Sequence, residues 1–285
     1  MYRPVKEITK IKGTSKRLSR KGILKLDFRS FFRPIDYTRT AELPAVLSLS
    51  KILMDKREDL KILDISSPQI LSASIAEISQ SWDLTYVNPF QAELDDMLRI
   101  SSLLSLKNIS LKKIDLTCND DLKKLHNDFD YIFSSSVFEH IYPEEGGDVI
   151  AVKNAGSLLK QDGVFVISVP FYFQSFNEYK FGDVYSVKGS KNERIFFQRF
   201  YDEEKLKNQL IIPSNLTLES ILYIGERLYF SSNIHKRFAQ KLQSKFSSVL
   251  FGKLFFIISK VFFEYSMNYK DLKKPYIAVV SLRKK

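Results

Sequence analysis

Short apolar runs alternate with amphipathic stretches through the middle of the chain. LKILDI, LTYVN, ISLKKIDL, FDYIFSSS and GVFVISVP read as strands. The stretches between them, PQILSASIAEIS, QAELDDMLRISSLL, NDDLKKLH and EEGGDVIAVKNAGSLL, read as helices. Ahead of the first strand, residues 44–58 carry Leu47, Ile52 and Leu53 at helical spacing. Apolar strands that alternate with helices predict an α/β fold. We expect a Rossmann-like, mostly parallel sheet with helices on both faces. On such a sheet, ligands sit at the carboxyl ends of the strands, near the switch point.

From residue 171 the pattern changes. FYFQSFNEYKFGDVYSVKGSKNERIFFQRF is aromatic, polar and poorly periodic. YDEEKLKNQL reads as a helix and LTLESILYIGERLYF as a strand. Residues 233–268 read as helical, first basic and then very apolar. PYIAVVSLRKK reads as a last, antiparallel strand inserted late in the sheet. The expected organisation is a basic extension over 1–43, partly ordered by FRSFFRPIDY. One domain then fills 44–285, with a loop at 171–200 and a helical insertion at 232–270.

Charge sharpens this division. The chain of 285 residues has a net charge of +11, but residues 41–233 are net negative. The positive charge lies in the two ends, which could meet nucleic acid, anionic lipid or an acidic substrate. No zinc finger, KH loop or RNP motif accompanies it, so nucleic acid has only generic charge in its favour. One cysteine, Cys118, excludes an internal disulfide and suits a reducing, cytoplasmic setting. Clustered Cys/His patterns are absent, so no metal site is expected. No GxSxG or P-loop occurs, which argues against a serine hydrolase and an NTPase.

The candidate chemistry begins at KILDISSPQI. A strand ends on Asp64, a tight turn holds Ser66 and Ser67, and Pro68 opens a helix. Ser67 before Pro68 predicts a serine cap with proline at the first helical position. The second strand ends on Asn88, the third runs into Asp115 and Leu116, and the fourth ends on Ser134 and Ser135. The FDYIFSSSVFEHI segment adds a Glu-His pair at Glu139 and His140. In order and spacing, these pieces together with LLKQDGVFVISVP resemble the class I S-adenosylmethionine-dependent methyltransferases. The resemblance covers roughly residues 58–230 and the last strand. The sequence departs from the family in the turn, where Ser66, Pro68 and Ile70 stand in place of three glycines. It departs again at Asn88, which replaces the ribose-binding acid.

The resemblance implies S-adenosyl-L-methionine as cofactor, held by Asp64, Ser66, Ser67, Asn88, Asp115, Leu116, Ser134 and Ser135. It implies methyl transfer to a small-molecule, carbohydrate or lipid-linked acceptor, with a place in glycan biosynthesis among the expectations. His140 lies near the expected point of transfer and is the candidate general base, with packing as the competing role. Tyr172, Asn177, Tyr179, Arg194 and Arg199 of the 171–200 loop are candidate acceptor ligands. The apolar stretch Val249 to Tyr265 predicts a helix that meets a membrane surface, the domain itself or a second copy in a homodimer. The preceding basic stretch extends the candidate membrane contact to 234–265, peripheral on the inner face. Two alternatives stand beside this reading. One is a non-catalytic binding or scaffold protein that keeps the fold. The other is a nucleic-acid-associated methyltransferase.

Overall fold

The computed structural model describes residues 4–24, 38–185, 190, 192–227 and 262–285. In chain order it begins with helices α1 (Val5–Leu24) and α2 (Arg39–Ser50). Then come β1 (Lys61–Ile65), α3 (Gln69–Ala76), β2 (Asp83–Asn88), α4 (Gln91–Leu104) and β3 (Ile109–Lys113). Next are α5 (Asn119–Leu122), β4 (Phe129–Ser135), α6 (Gly147–Ser157) and β5 (Leu159–Pro170). A hairpin of β6 (Phe176–Phe181) and β7 (Arg194–Phe200) follows, then α7 (Glu203–Leu206), β8 (Thr217–Glu226), β9 (Phe263–Ser266) and β10 (Pro275–Arg283).

The main sheet has the order β3-β2-β1-β4-β5-β10-β8-β9. β1 to β5 are parallel, and β10 runs antiparallel between β5 and β8. The last strand therefore enters the sheet late and reversed, as its position after a long excursion predicts. Strand β4 is buried at every residue, and β1 and β2 at every residue but the first. Such strands need apolar side chains on both faces, and so they read as unbroken hydrophobic runs. Two apolar layers sandwich the sheet. One gathers Leu47, Tyr86, Met97 and Phe133, and the other Ile65, Phe138, Phe165 and Leu206. The connections leave β1 and β4 toward opposite edges, which opens a crevice between their carboxyl ends.

The basic amino-terminal stretch is not merely an extension. Val5–Leu24 forms a helix packed on α2, α3 and α4. Ile11, Thr14 and Leu18 recur every three to four residues on its buried side, and Arg17 pairs with Glu77. The stretch 171–200, expected as an irregular loop, contains the antiparallel β6–β7 hairpin. NDDLKKLH keeps only the short helix α5, and YDEEKLKNQL passes from α7 into a π-turn over Lys207–Ile211. Phe263–Ser266, read as helix end, is a strand paired with β8. The remainder of the expected apolar helix and the FRSFFRPIDY stretch lie outside the described residues.

Candidate active site

The turn after β1 closes without glycine because Ser66 adopts the left-handed conformation, with φ of 55°. Two bonds to the end of β2 hold it there: the Ser66 amide and hydroxyl both donate to the Val87 carbonyl, each at 2.9 Å. Ser67 does not cap a helix. Pro68 stands at the cap position of α3, and the Ser67 hydroxyl accepts the Ser135 N–H at 3.0 Å. The turn is thus stapled to β2 on one side and to β4 on the other.

Asp64, a candidate cofactor ligand, is fully buried beneath this turn. Its Oδ1 accepts the Ser67 N–H at 2.9 Å and its Oδ2 the Ser72 hydroxyl at 2.7 Å. Burial pushes its carboxyl up to about 6, because these hydrogen bonds only partly replace water. It acts as an internal brace.

Asn88 ends β2 and is buried. Its Oδ1 accepts the Phe90 N–H at 2.9 Å and its amide nitrogen reaches the Tyr86 hydroxyl at 3.5 Å, which leaves one amide N–H able to donate. Asp115 is exposed, and its Oδ1 takes both the amide and hydroxyl of Thr117. Leu116 is buried, with its carbonyl held by Asn154. Ser134 is buried, and its hydroxyl reaches the Ile65 carbonyl at 3.3 Å.

Ser135 belongs to a cluster that sequence reading missed. Glu42, fully buried on α2, accepts the hydroxyls of Ser135 at 3.0 Å, Ser136 at 2.6 Å and Ser168 at 2.7 Å on one carboxylate oxygen. Arg39 pairs with the other oxygen. Burial opposes a charge on Glu42. Arg39 and the serines outweigh it and hold the carboxyl below its usual range. A charged residue amid ELPAVLSL was the available signal, since an acid inside so apolar a helix demands partners.

The Glu-His pair occupies a 3₁₀ turn just past β4. His140 Nδ1 lies 2.7 Å from the Phe197 carbonyl. A carbonyl can only accept, so Nδ1 carries the proton and Nε2 presents a lone pair. Burial pushes His140 down to about 4, with Arg39, Lys180 and Arg199 adding positive charge nearby. It is neutral at pH 7 rather than poised there. Glu139 is fully buried, and its Oε2 has no hydrogen-bond partner among the described residues. Burial pushes its carboxyl up to about 8, and the Glu42 charge adds to this. Its Oε1 stands 3.7 Å from His140 Nε2, too far for a direct hydrogen bond but near enough for one small polar group to bridge.

The candidate acceptor residues divide. Arg199, expected to grip an acceptor, is 1% exposed and internal. Its Nη1 faces the carbonyls of Phe138, Glu139 and Ile141, and its Nη2 those of Pro143 and Glu144. Asn177 and Tyr179 also turn to this segment, both donating to the Glu144 carboxylate. Tyr172 stays partly exposed, with its ring edge-on to Phe173 and Phe176. Arg194 is exposed and lies over the Tyr179 ring. Among the described residues no group of His, Cys, Asp and Glu could hold a metal ion. Nor is any described helix long and apolar enough to cross a membrane.

No family model and no curated protein matches the sequence. Solved structures do match the fold. The [4+2]-cyclase SpnF superposes with a TM-score of 0.55 at 12% identity, over 86% of this chain and 82% of that one. A coclaurine N-methyltransferase bound to N-methylheliamine and SAH gives 0.54 at 12% identity, over 86% and 73%. The MccD protein gives 0.53 at 11% identity, over 86% and 96%. The chain has the class I methyltransferase fold. Because that fold carries both a cyclase and a methyltransferase, it does not by itself define the reaction.

Proposed function

We propose that the chain binds S-adenosyl-L-methionine across the carboxyl ends of β1, β2 and β4 and methylates a small-molecule acceptor. The observation that carries this reading is the turn after β1. Ser66 takes there the left-handed backbone that a glycine would supply, at the switch point of a sheet with the class I order. The donor set suits the cofactor. Asn88 offers one amide N–H to a ribose hydroxyl, and Asp115 Oδ2 offers an acceptor to an adenine amine. The half-buried Ser66 and Ser136 line the path between β1 and β4. When bound, the cofactor supplies a methyl group on a sulfonium.

The chain's own task is placement. His140 Nε2 can accept the hydrogen of an acceptor hydroxyl, and protonated Glu139 can donate to the same oxygen. Both stay neutral at pH 7, so they orient the acceptor without attracting bulk water, and placement supplies most of the acceleration. The exposed face of the hairpin, with Tyr179 and Arg194, and the neighbouring Tyr172 form the acceptor side. A glycan or lipid-linked acceptor is the finer form of the reading.

A binding protein without turnover is the second reading. The observation favouring it is that Asp64 and Ser67 spend their polar groups inside the protein. Calorimetry with S-adenosylhomocysteine, repeated on Asn88→Ala, tests both. The expected result is binding by the wild type and about tenfold weaker binding by the variant, the loss of about one good hydrogen bond. No heat and no thermal shift at millimolar ligand would overturn both readings. Binding without methyl transfer across an acceptor panel would favour the second.

A further inference from the structure

Three of the five residues that the sequence offered for an acceptor bind the chain itself, and all three bind one segment. Asn177 and Tyr179 of β6 hold the Glu144 side chain. Arg199 of β7 holds five consecutive-turn carbonyls between Phe138 and Glu144. Phe197, two residues earlier on β7, supplies the carbonyl that fixes the His140 tautomer. The hairpin therefore reaches the Glu139-His140 turn through two positions of one strand, two residues apart.

Arg199 is also anchored from behind. Its Nε lies 3.6 Å from Asp148 Oδ2, and the Tyr201 hydroxyl donates to that same oxygen at 2.7 Å. Its guanidinium stacks over Phe196 at 4.8 Å. Gly147 closes the other side of the segment. A Cβ there would fall 2.7 Å from the Tyr142 carbonyl carbon and 2.8 Å from the Ile141 oxygen. The fixed, planar fork of an arginine suits several carbonyls held in a fan, whereas a lysine's single ammonium does not. A buried cation surrounded by backbone carbonyls is costly to disturb, because losing it orphans every acceptor at once.

We propose that Arg199 is the positioning residue of this site: it locks the turn bearing Glu139 and His140 to the β6–β7 hairpin, so that turn and hairpin move as one unit. The proposal rests on the reading of that turn as the acceptor-facing part of the site. In consequence, an acceptor that seats against the hairpin sets the His140 ring directly, with no separate loop closure. The ring is surrounded by Glu139, Arg39, Lys180 and Arg199 and packed against Tyr185 and Phe197.

Nuclear magnetic resonance of the His140 ring nitrogens in wild type, Arg199→Lys and Arg199→Gln tests this without any methyl transfer. In wild type the ring should be the single Nδ1–H tautomer, neutral through pH 5. In Arg199→Gln it should show mixed tautomers and titrate closer to 6.5. Arg199→Lys separates position from charge: mixed tautomers there, with the charge retained, support positioning. A single wild-type tautomer in Arg199→Lys, with a changed one in Arg199→Gln, would assign the effect to charge alone and overturn the proposal. So would an unchanged ring in a folded Arg199→Gln protein. Should both variants fail to fold, native-state hydrogen exchange of the wild type decides. The amides of His140 and Ile141 should open with those of β7, and a turn that opens at least tenfold more often would overturn the coupling. Affinity for S-adenosylhomocysteine should change less than twofold in the folded variants. Loss of that affinity in wild type would count against the cofactor reading and leave the positioning result untouched.

Discussion

Replacing Asp64 by asparagine should make the protein more stable at neutral pH. The carboxyl is sealed under the β1 turn, with hydrogen bonds from Ser67 and Ser72 and no cation among the groups that act on it. Burial raises it from its ordinary 3.8 to about 6. A raised carboxyl means that the folded state holds the proton more tightly than the unfolded chain does. Its contribution is therefore fully present below pH 3.8 and is lost as pH rises through about 6. The rise corresponds to about 3 kcal/mol, given about 1.4 kcal/mol for each tenfold change in proton affinity. An asparagine keeps an oxygen for the Ser67 N–H, and its amide can donate to a Ser72 hydroxyl that turns to accept. Urea unfolding between pH 4 and 8, followed through the single buried Trp82, gives the difference between variant and wild type. That difference should move in favour of Asp64→Asn by up to about 3 kcal/mol as pH rises. A flat difference would refute the reasoning. Asp64→Ala should instead destabilise by roughly 2–4 kcal/mol at pH 4, because it strands the Ser67 amide and the Ser72 hydroxyl, and that loss should shrink as pH rises through about 6. Affinity for S-adenosylhomocysteine should survive in Asp64→Asn; a large loss would mean that the carboxylate touches the ligand after all.

Two further substitutions probe the framework. Gly156→Ala places a Cβ well inside contact distance of the Ser214 carbonyl oxygen, so thermal unfolding should show a loss of roughly 3 kcal/mol. Glu42→Gln removes the buried negative charge beside Arg39 and weakens three serine contacts, which should cost roughly 2–4 kcal/mol at pH 7. Because Glu42 is held below its ordinary value of 4.5, its contribution is present above that pH and is lost on acidification, so the gap between variant and wild type should narrow toward pH 3.

The parallel half of the sheet was legible because strands such as FDYIFSSS are buried on both faces and so stay apolar throughout. The reversed last strand followed from its place after a long excursion. α1 was hidden by its lysines and arginines, which dominate the composition while Ile8, Ile11, Thr14 and Leu18 face inward. The hairpin was hidden because its cross-strand partners mix ring and charge, as at Phe181 opposite Arg194, and so break the alternation expected of a strand. At the site, the residues at strand ends were placed correctly along the chain, but their directions were not. Asp64 and Arg199 look like ligand-binding groups in sequence, and only the burial around them turns one into a brace and the other into a clamp. Glu42 escaped because its partners, Ser136 and Ser168, lie far away in sequence and meet it only once β4 and β5 are side by side.

The edge formed by β8 and β9 has a consequence for how the sheet is completed. The Arg227 N–H donates to the Phe262 carbonyl at 2.7 Å, and Glu226 stands opposite Phe263 in the register. The chain leaves the sheet and re-enters it at neighbouring rungs. The entropy of closing a loop between two such points grows only slowly with its length. The rungs at Glu226 and Phe263 fix where β9 rejoins the sheet beside β8, and β10 follows in register between β8 and β5.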